Sequence, residues 1–399
     1  MSQVYRYLSI VIILIIISGC YPFKKEIKEP AKALKKVRYF WPKFQDDMDI
    51  DSLALSIERS LQYLNRLKDD TFFTFGPDKF QVKHIRQSLK TFLLIARQKS
   101  DIKKFNREVR KKFFLYRAAG CQGNKKVLFT GYFEPTHDGN LERDSLYRYP
   151  IYRRPDDLFT IDLGLFRPKF NRQRIMARID GQQIIPYHTR KDIAEGKALE
   201  GKKLEIAWLK DPLDIAILQI QGSGIIKLPN GNKIRVGYSA SNGHPYKSIG
   251  RYMIDKGYIE ADNSSLQTIR SYLKDHPDIK SEILNYNPSY IFFRLLDNGP
   301  LGNISVPLTP GRSLALDNRL FPKGALVYIC CQKPIMGKNG NVAGWIPFSR
   351  FMLNQDTGGA IKGAGRADIF WGSNLYAELT AGHLKHEGKM YFLVKKPDN

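Results

Sequence analysis

Between Asn354 and Gly372 the chain reads N-Q-D-T-G-G-A-I-K-G-A-G-R-A-D-I-F-W-G, with two aspartates, Asp356 and Asp368, set among five glycines. Glycine lacks a Cβ, so this stretch lets backbone, carboxylate and ligand approach one another closely. Asp368 opens D-I-F-W-G, an alternating segment that predicts a short strand, which would hold its carboxylate in a sheet rather than on a mobile loop. The fold must therefore present an acid at a strand next to a glycine-rich turn. That is where the chemistry is expected.

Two other readings of the stretch compete. An aspartate beside glycines is commonly a turn former that bonds its own backbone. Asp356-Thr357-Gly358 also matches the tripeptide of aspartic proteases, but those need two aspartates sharing a proton. No second D-[ST]-G occurs in the chain, so that reading requires a homodimer.

The 399 residues suffice for two to three domains with a substantial core, and composition is globular, with 43% hydrophobic and 12% aromatic residues. The unusual quantity is a formal net charge of +25, from 64 Lys and Arg against 39 acids. Such a field favours polyanions: nucleic acid, anionic lipid or a negatively charged cell wall. No stacked-aromatic module or recognition helix points to nucleic acid. Tyr7 to Ile17 is an apolar run of about eleven residues, too short to span a bilayer and suited to a signal-peptide core. It ends in Ile17-Ser18-Gly19-Cys20, which resembles a bacterial lipobox, and Tyr21 stands where an inner-membrane retention signal places Asp. The resemblance implies a lipoprotein sorted to the outer membrane, facing the periplasm, with Cys20 lipidated at the mature amino terminus. Of the other cysteines, Cys121 pairing with Cys330 or Cys331 is one arrangement, and buried free thiols are the other. His383 and His386 lack a third ligand nearby, so no metal site is expected.

In chain order, residues 1–20 read as signal peptide and the lysine-rich, proline-interrupted 21–44 as a tether. Leu53, Ile57, Leu61 and Leu64, then Ile85, Leu89, Phe92 and Ala96, then Ile102, Phe105, Val109 and Phe113 behind Asp101 predict three helices. At Val127 the period becomes two. V-L-F-T-G-Y-F-E-P predicts a strand with Thr130, Tyr132 and Glu134 on one face, a hydroxyl, a phenol and a carboxylate suited to a sugar. Residues 136–295 form a separate unit of short strands, including L-D-I-A-I-L-Q-I-Q-G-S-G, in which Gln219 and Gln221 share a face. There Gly222, Ser223 and Gly224 would offer free amides to a ligand. Asn230-Gly231 marks a hairpin tip, and helices are expected near Ser248 to Lys256 and Ser265 to Asp275. Beyond Asn298 short strands punctuated by Pro and Gly are in the style of a small barrel. This part adds a third strand-end acid, Asp317, and packs with 45–135 as one domain split by the other.

The ordered motifs V-L-F-T-G-Y-F-E-P, Q-I-Q-G-S-G, V-G-Y-S-A-S-N-G-H-P-Y-K-S-I-G, N-P-S-Y-I-F-F-R, V-P-L-T-P-G-R-S-L-A-L-D and D-T-G-G-A-I-K-G-A-G-R-A-D-I-F-W-G resemble the membrane-bound lytic murein transglycosylase A family. The resemblance implies an α+β, mainly β fold: a discontinuous double-psi β-barrel over 45–135 and 296–399, a smaller β-domain over 136–295, and a glycan groove between them. It implies cleavage of the β-1,4 bond between N-acetylmuramic acid and N-acetylglucosamine of peptidoglycan with a 1,6-anhydro product and no cofactor. Asp368 matches the catalytic acid, and Asp356 and Asp317 match the supporting aspartates. Motif position assigns substrate binding to Thr130, Tyr132, Glu134, Gln221, Gly222, Ser223, Gly224, Lys362 and Trp371. The expected partners are peptidoglycan strands and the outer membrane, with cell-wall synthesis proteins beyond them.

One acid suffices in such a site when the sugar's own C6 hydroxyl attacks, because a tethered nucleophile replaces the second carboxylate of ordinary glycosidases. Asp368 must then be protonated near neutrality, which burial against Phe370 and Trp371 and a neighbouring Asp356 charge would favour. A murein-binding lipoprotein without turnover and a hydrolase releasing a reducing end are the competing classes.

Overall fold

Helix periodicity in the amino-terminal part carries through to structure. In this computed structural model, which describes residues 27–98, 101–171, 173–261 and 265–397, Asp49 accepts from the Ser52 amide and caps the helix Ile50–Leu64. That helix buries Leu53, Ile57 and Leu64, and Val82–Arg97 buries Ile85, Leu89, Phe92 and Ala96. Asp101 caps Ile102–Lys112, and Phe113 already belongs to the next strand. The expected signal peptide and Cys20 lie outside the described residues.

The expected tether is part of the fold from Pro30 onward. Strand β1 (Leu34–Val37) pairs antiparallel with β4 (Phe113–Ala118), and Ala33 and Leu34 are buried. Its Leu-Lys-Lys-Val sequence is typical of an edge strand, where lysines discourage pairing with another chain, and those lysines made it read as a solvated linker. Between them β2 (Phe72–Phe75) and β3 (Asp78–Gln81) form a hairpin, and β5 (Val127–Tyr132) follows β4.

The inserted unit carries β6 (Thr136–Asn140), β7 (Tyr149–Tyr152), β8 (Phe159–Asp162), β9 (Arg174–Asp180), β10 (Gln183–Pro186), β11 (Glu205–Leu209), β12 (Ser223–Lys227), β13 (Lys233–Ser241) and β14 (Ile291–Leu295). Six of these form a sheet in the order β14-β13-β12-β6-β11-β7, and β10-β9-β8 form another. The Q-I-Q-G segment corrects the expectation: Pro212–Gln221 is a helix, capped by Asp211 and closed by Gly222 in the left-handed region. Ile215, Ala216, Ile217, Leu218 and Gln219 are all buried, and a helix covered on most sides presents the same apolar run as a strand. Gln219 and Gln221 therefore do not share a face. Helices Ile249–Asp255 and Leu266–Asp275 lie where expected, capped by Ser248 and Ser265.

The chain then returns to the barrel as β15 (Ser313–Ala315), β16 (Leu326–Met336), β17 (Val342–Asp356), β18 (Arg366–Phe370) and β19 (Lys385–Lys395). Strands β19-β16-β17-β15-β18-β5 close on themselves through β19–β5, so the ring has no open edge. The fold is thus α+β and mostly strand, with a closed six-stranded barrel. Residues 385–388 of β19 pair with β5 and residues 391–395 with β4, which hangs β4 and β1 on the barrel. The amino-terminal part docks through aromatic rings: Phe92 of the helix Val82–Arg97 lies 4.7 Å from Phe351, and Phe44, before the first of the three helices, lies 4.8 Å from Tyr328. Cys121, Cys330 and Cys331 are all free, and Cys121 is exposed rather than buried. Among the described residues no helix is long and apolar enough to cross a membrane.

Arg312, fully buried at the start of β15, locks these layers together. Its guanidinium donates to Asp46 at 2.7 Å, to the Phe351 carbonyl at 2.7 Å and to the Asp49 carbonyl at 2.7 Å. Arg312→Ala leaves Asp46 and two carbonyls without their donor, so it should lower unfolding free energy by about 3 kcal/mol or more. Urea titration measures this, and a loss below about 1 kcal/mol would show that the layers hold without it.

Candidate active site

Four neighbouring barrel strands assemble the site. Register sets Thr130 of β5 opposite Asp368 of β18, Asp368 opposite Ala315 of β15, and Ala315 opposite Asp356 of β17. Directly paired residues share a face, so a hydroxyl, two carboxylates and a methyl stand in one row. The row depends on a bulge: Leu314 pairs with Asn354 but Ala315 with Asp356, so Gln355 is skipped. Gln355 turns into the core, where Ser313 donates to its Oε1 at 2.6 Å and its amide donates to the Ser56 carbonyl at 2.8 Å. The extra residue re-aims Asp356 into the row.

The two acids are held differently. Thr130 Oγ1 donates to Asp368 Oδ1 at 2.6 Å, and no hydrogen bond among the described residues occupies Asp368 Oδ2. Asp356 is engaged at both oxygens, by the Tyr132 hydroxyl at 2.8 Å and the Asn303 amide at 2.9 Å. Both side chains keep partial access to solvent. Burial pushes the Asp368 carboxyl up to about 6, against the Thr130 hydrogen bond and the Arg366 charge, with the Asp356 charge adding to the rise. Burial also raises Asp356 to about 6, opposed by Tyr132 and by the amides of Thr357 and Asn303. The Tyr132 phenol is pushed well above its ordinary value by burial and by both aspartates, so it stays a donor throughout the working range.

The other expected residues take different places. Asp317 is fully buried and turned to the glycine-rich loop: it accepts from the Gly363 amide at 2.8 Å and pairs with Arg319 at 2.7 Å. Against the burial that would raise it, these contacts hold its carboxyl below the usual range. Lys362 is exposed on that loop. Trp371 is only 7% exposed, packed near Phe348 and Arg350 behind β5. A Cβ at residue 131 would stand 2.8 Å from its ring, so Gly131 is what allows that packing. Glu134, 3% exposed, pairs with Arg235 of β13 at 2.8 Å, and Gln221 Oε1 accepts from the Phe133 amide at 3.0 Å. Both join the inserted unit to the barrel. The Gly222 amide closes its own helix on Leu218, and Ser223 and Gly224 open β12.

Sequence reasoning missed Arg366, Ala315, Asn303 and Thr357. Arg366 was within reach, since in R-A-D it alternates onto the face of Asp368 and its guanidinium comes 3.4 Å from Thr130 Oγ1. Thr357 Oγ1, next to Asp356 in the chain, is buried without a partner among the described residues. Asn303 contributes a backbone amide from a distant turn, which no side-chain pattern signals.

Comparison with known proteins agrees with this architecture. A family described as the MltA specific insert domain matches residues 128–294, and one described as the 3D domain matches residues 312–394. The chain is 32% identical to the membrane-bound lytic murein transglycosylase A of Vibrio cholerae over 68% of its length and 66% of that protein. It is also 32% identical to the Escherichia coli protein of that name, over 70% of its length and 68% of that protein. Thus it spans about two thirds of the length of the curated relatives it matches. The crystal structure of a membrane-bound lytic murein transglycosylase from Agrobacterium tumefaciens is similar at TM-score 0.73 and 30% identity, covering 91% of this chain and 98% of that one. MltA from Neisseria gonorrhoeae follows at TM-score 0.66 and 33% identity, covering 88% and 89%. The barrel and its inserted unit are those of the peptidoglycan lytic transglycosylases it resembles. The chain belongs to the membrane-bound lytic murein transglycosylase A family.

An elevated carboxyl carries a stability consequence. Asp368 binds its proton more tightly folded than unfolded, so the native state loses stability as pH rises from about 4 to about 6 and keeps that deficit above. Asp368→Asn should therefore melt a few degrees higher than the wild type at pH 8, with the gap closing near pH 4. Calorimetry across this range tests the sign, and a variant less stable at pH 8 would contradict it.

Proposed function

We propose that this chain cleaves the β-1,4 bond between N-acetylmuramic acid and N-acetylglucosamine in peptidoglycan, with Asp368 as the single general acid and then base. The observation that carries the reading is the asymmetry of the two acids. Both carboxyls are raised to about 6, but Asp368 has an oxygen without a partner among the described residues, whereas Asp356 is engaged at both oxygens. A nucleophilic carboxylate needs a free oxygen, so Asp356 is poorly placed to attack the sugar and suits a supporting role. Asp368 Oδ2 delivers its proton to the leaving glycosidic oxygen as that bond breaks. The muramyl C6 hydroxyl then attacks the anomeric carbon and gives its proton back to Asp368, leaving the 1,6-anhydro ring and a regenerated acid. Thr130 fixes the carboxyl's orientation, and Arg366 stabilises the carboxylate formed midway. The aspartic protease reading loses support for the same reason that Asp356 is fully engaged.

Mass spectrometry of muropeptides after digestion tests the reaction: anhydro ends are expected, hydrated ends would indicate a hydrolase, and intact sacculi a binding protein. Asp368→Asn should reduce kcat about a thousandfold while chitohexaose, the ligand in an E. coli MltA crystal structure, still binds. Wild-type turnover by that variant would dismiss Asp368. The acid must be protonated to act, so kcat/KM should fall about tenfold per unit as pH rises beyond about 6.

We further propose an outer-membrane lipoprotein facing the periplasm, anchored at Cys20, in keeping with the membrane-bound designation of its relatives. Cys20→Ala should abolish labelling by palmitate and move the protein to the soluble fraction. Unchanged membrane sedimentation of that variant would exclude the anchor.

A further inference from the structure

A cavity of about 330 Å³ opens where the barrel meets the inserted unit and shares no residue with the carboxylate row. Its polar wall is made by His137 and Asp138 at the start of β6, Lys210 and Asp214 around the head of the helix Pro212–Gln221, Arg270 on Leu266–Asp275, and Glu378 on the barrel helix Leu375–His383. His137 is only 7% exposed. Its Nδ1 lies 3.3 Å from Asp214 Oδ1, and its Nε2 is buried with no partner among the described residues. Buried ring nitrogens are normally satisfied, so this one marks a place for a missing group.

The chemistry of that group follows from the donors and acceptors around it. Against the burial that would raise it, His137 and Arg270 hold the Asp214 carboxyl below the usual range, so Asp214 accepts from Nδ1 and Nε2 is left to the cavity. Glu378 supplies an acceptor and has no ion pair among the described residues. A carboxylate with no cation beside it calls for one from the ligand, and an ammonium serves. Lys210 and Arg270 are bonded to Asp138 at 3.0 Å and Asp214 at 2.8 Å. Each retains further N–H groups, which suit a carboxylate. Phe133, Ile217 and Leu266 line the remainder with apolar surface.

We propose that this cavity binds a short zwitterion, with a free ammonium and a free carboxylate, such as a dipeptide carries at its two ends. The inference rests on the murein reading, in which short peptides with charged groups accompany the glycan. The enzyme then recognises peptide at one site and cleaves sugar at another. A bound zwitterion would also bridge Glu378 of the barrel to His137 and Arg270 of the inserted unit.

The test is calorimetric titration of the full chain with D-alanyl-D-alanine, its N-acetyl derivative and its carboxamide, alongside cleavage of peptide-free glycan strands. The free dipeptide should bind, each blocked form should bind roughly tenfold more weakly or worse, and the imidazole nitrogen signals of His137 should shift on binding. Glu378→Gln, on a partly exposed helix position that tolerates the change, should weaken binding similarly while leaving peptide-free cleavage unaltered. His137→Phe should do the same. Equal binding of free and blocked dipeptides, or no binding with His137 satisfied by water only, overturns the inference. Cleavage without dipeptide binding would sink this site alone, and dipeptide binding without cleavage would sink the transglycosylase reading alone.

Discussion

The parallel pairing of β5 with β18 is the contact on which site and fold both rest. It joins Thr130 to Asp368 across 238 positions of chain. Without it the hydroxyl that orients Asp368 has no fixed place, and the ring formed with β19 stays open. Parallel strands need a long crossover, and here the crossover carries the entire inserted unit. The entropy of closing a loop grows only logarithmically with its length, so an insertion of this size is tolerated if it folds on its own contacts. It does have them, in three apolar clusters separate from the barrel core.

Burial serves the chemistry and works against stability at the same positions. Two carboxylates pushed up to about 6 are a liability for a protein at neutral pH, and ordinary surface aspartates would carry none. The surrounding barrel offsets this with a continuous apolar core and with Arg312, which is satisfied on every side by Asp46, Ser52 and backbone carbonyls. Tyr132 matters electrically as much as geometrically. Its phenol cannot ionise near neutrality, so its hydrogen bond to Asp356 persists whatever the charge on its neighbours.

Legibility in the sequence followed how local each determinant is. The three amino-terminal helices were readable because one face is buried and the other wet, giving a clean 3.6 period and local caps at Asp49 and Asp101. Asp368 and its strand were readable because alternation and glycines lie within a few residues. Pro212–Gln221 was misread because burial on most sides erases periodicity, although Asp211-Pro212 at one end and Gly222 at the other were cap signals in plain view. The bulge at Gln355 leaves no trace in sequence, since what drives it is three distant serines, Ser56, Ser60 and Ser313. Glu134 was expected at the ligand from its strand face and Trp371 from motif position. Glu134 instead answers to Arg235, and Trp371 to the gap above Gly131.

Glu134 and Gln221 tie the inserted unit to the acid row. Glu134 to Arg235 and Gln221 to the Phe133 amide both attach that unit to the residues directly following Tyr132 on β5. The Glu134 amide in turn donates to the Gly372 carbonyl at 2.8 Å, just beyond the strand of Asp368. The inserted unit is therefore indexed on the same two strands that carry the acid and its hydroxyl. A shift of β5 would move the inserted unit and the proton donor together, preserving their mutual geometry while other loops relax. The proposed reaction at a polymer needs that economy: glycan gripped by one unit would be protonated by the other within an ångström or so of the productive position. Joining both to one strand pair achieves this with two side chains and one backbone hydrogen bond.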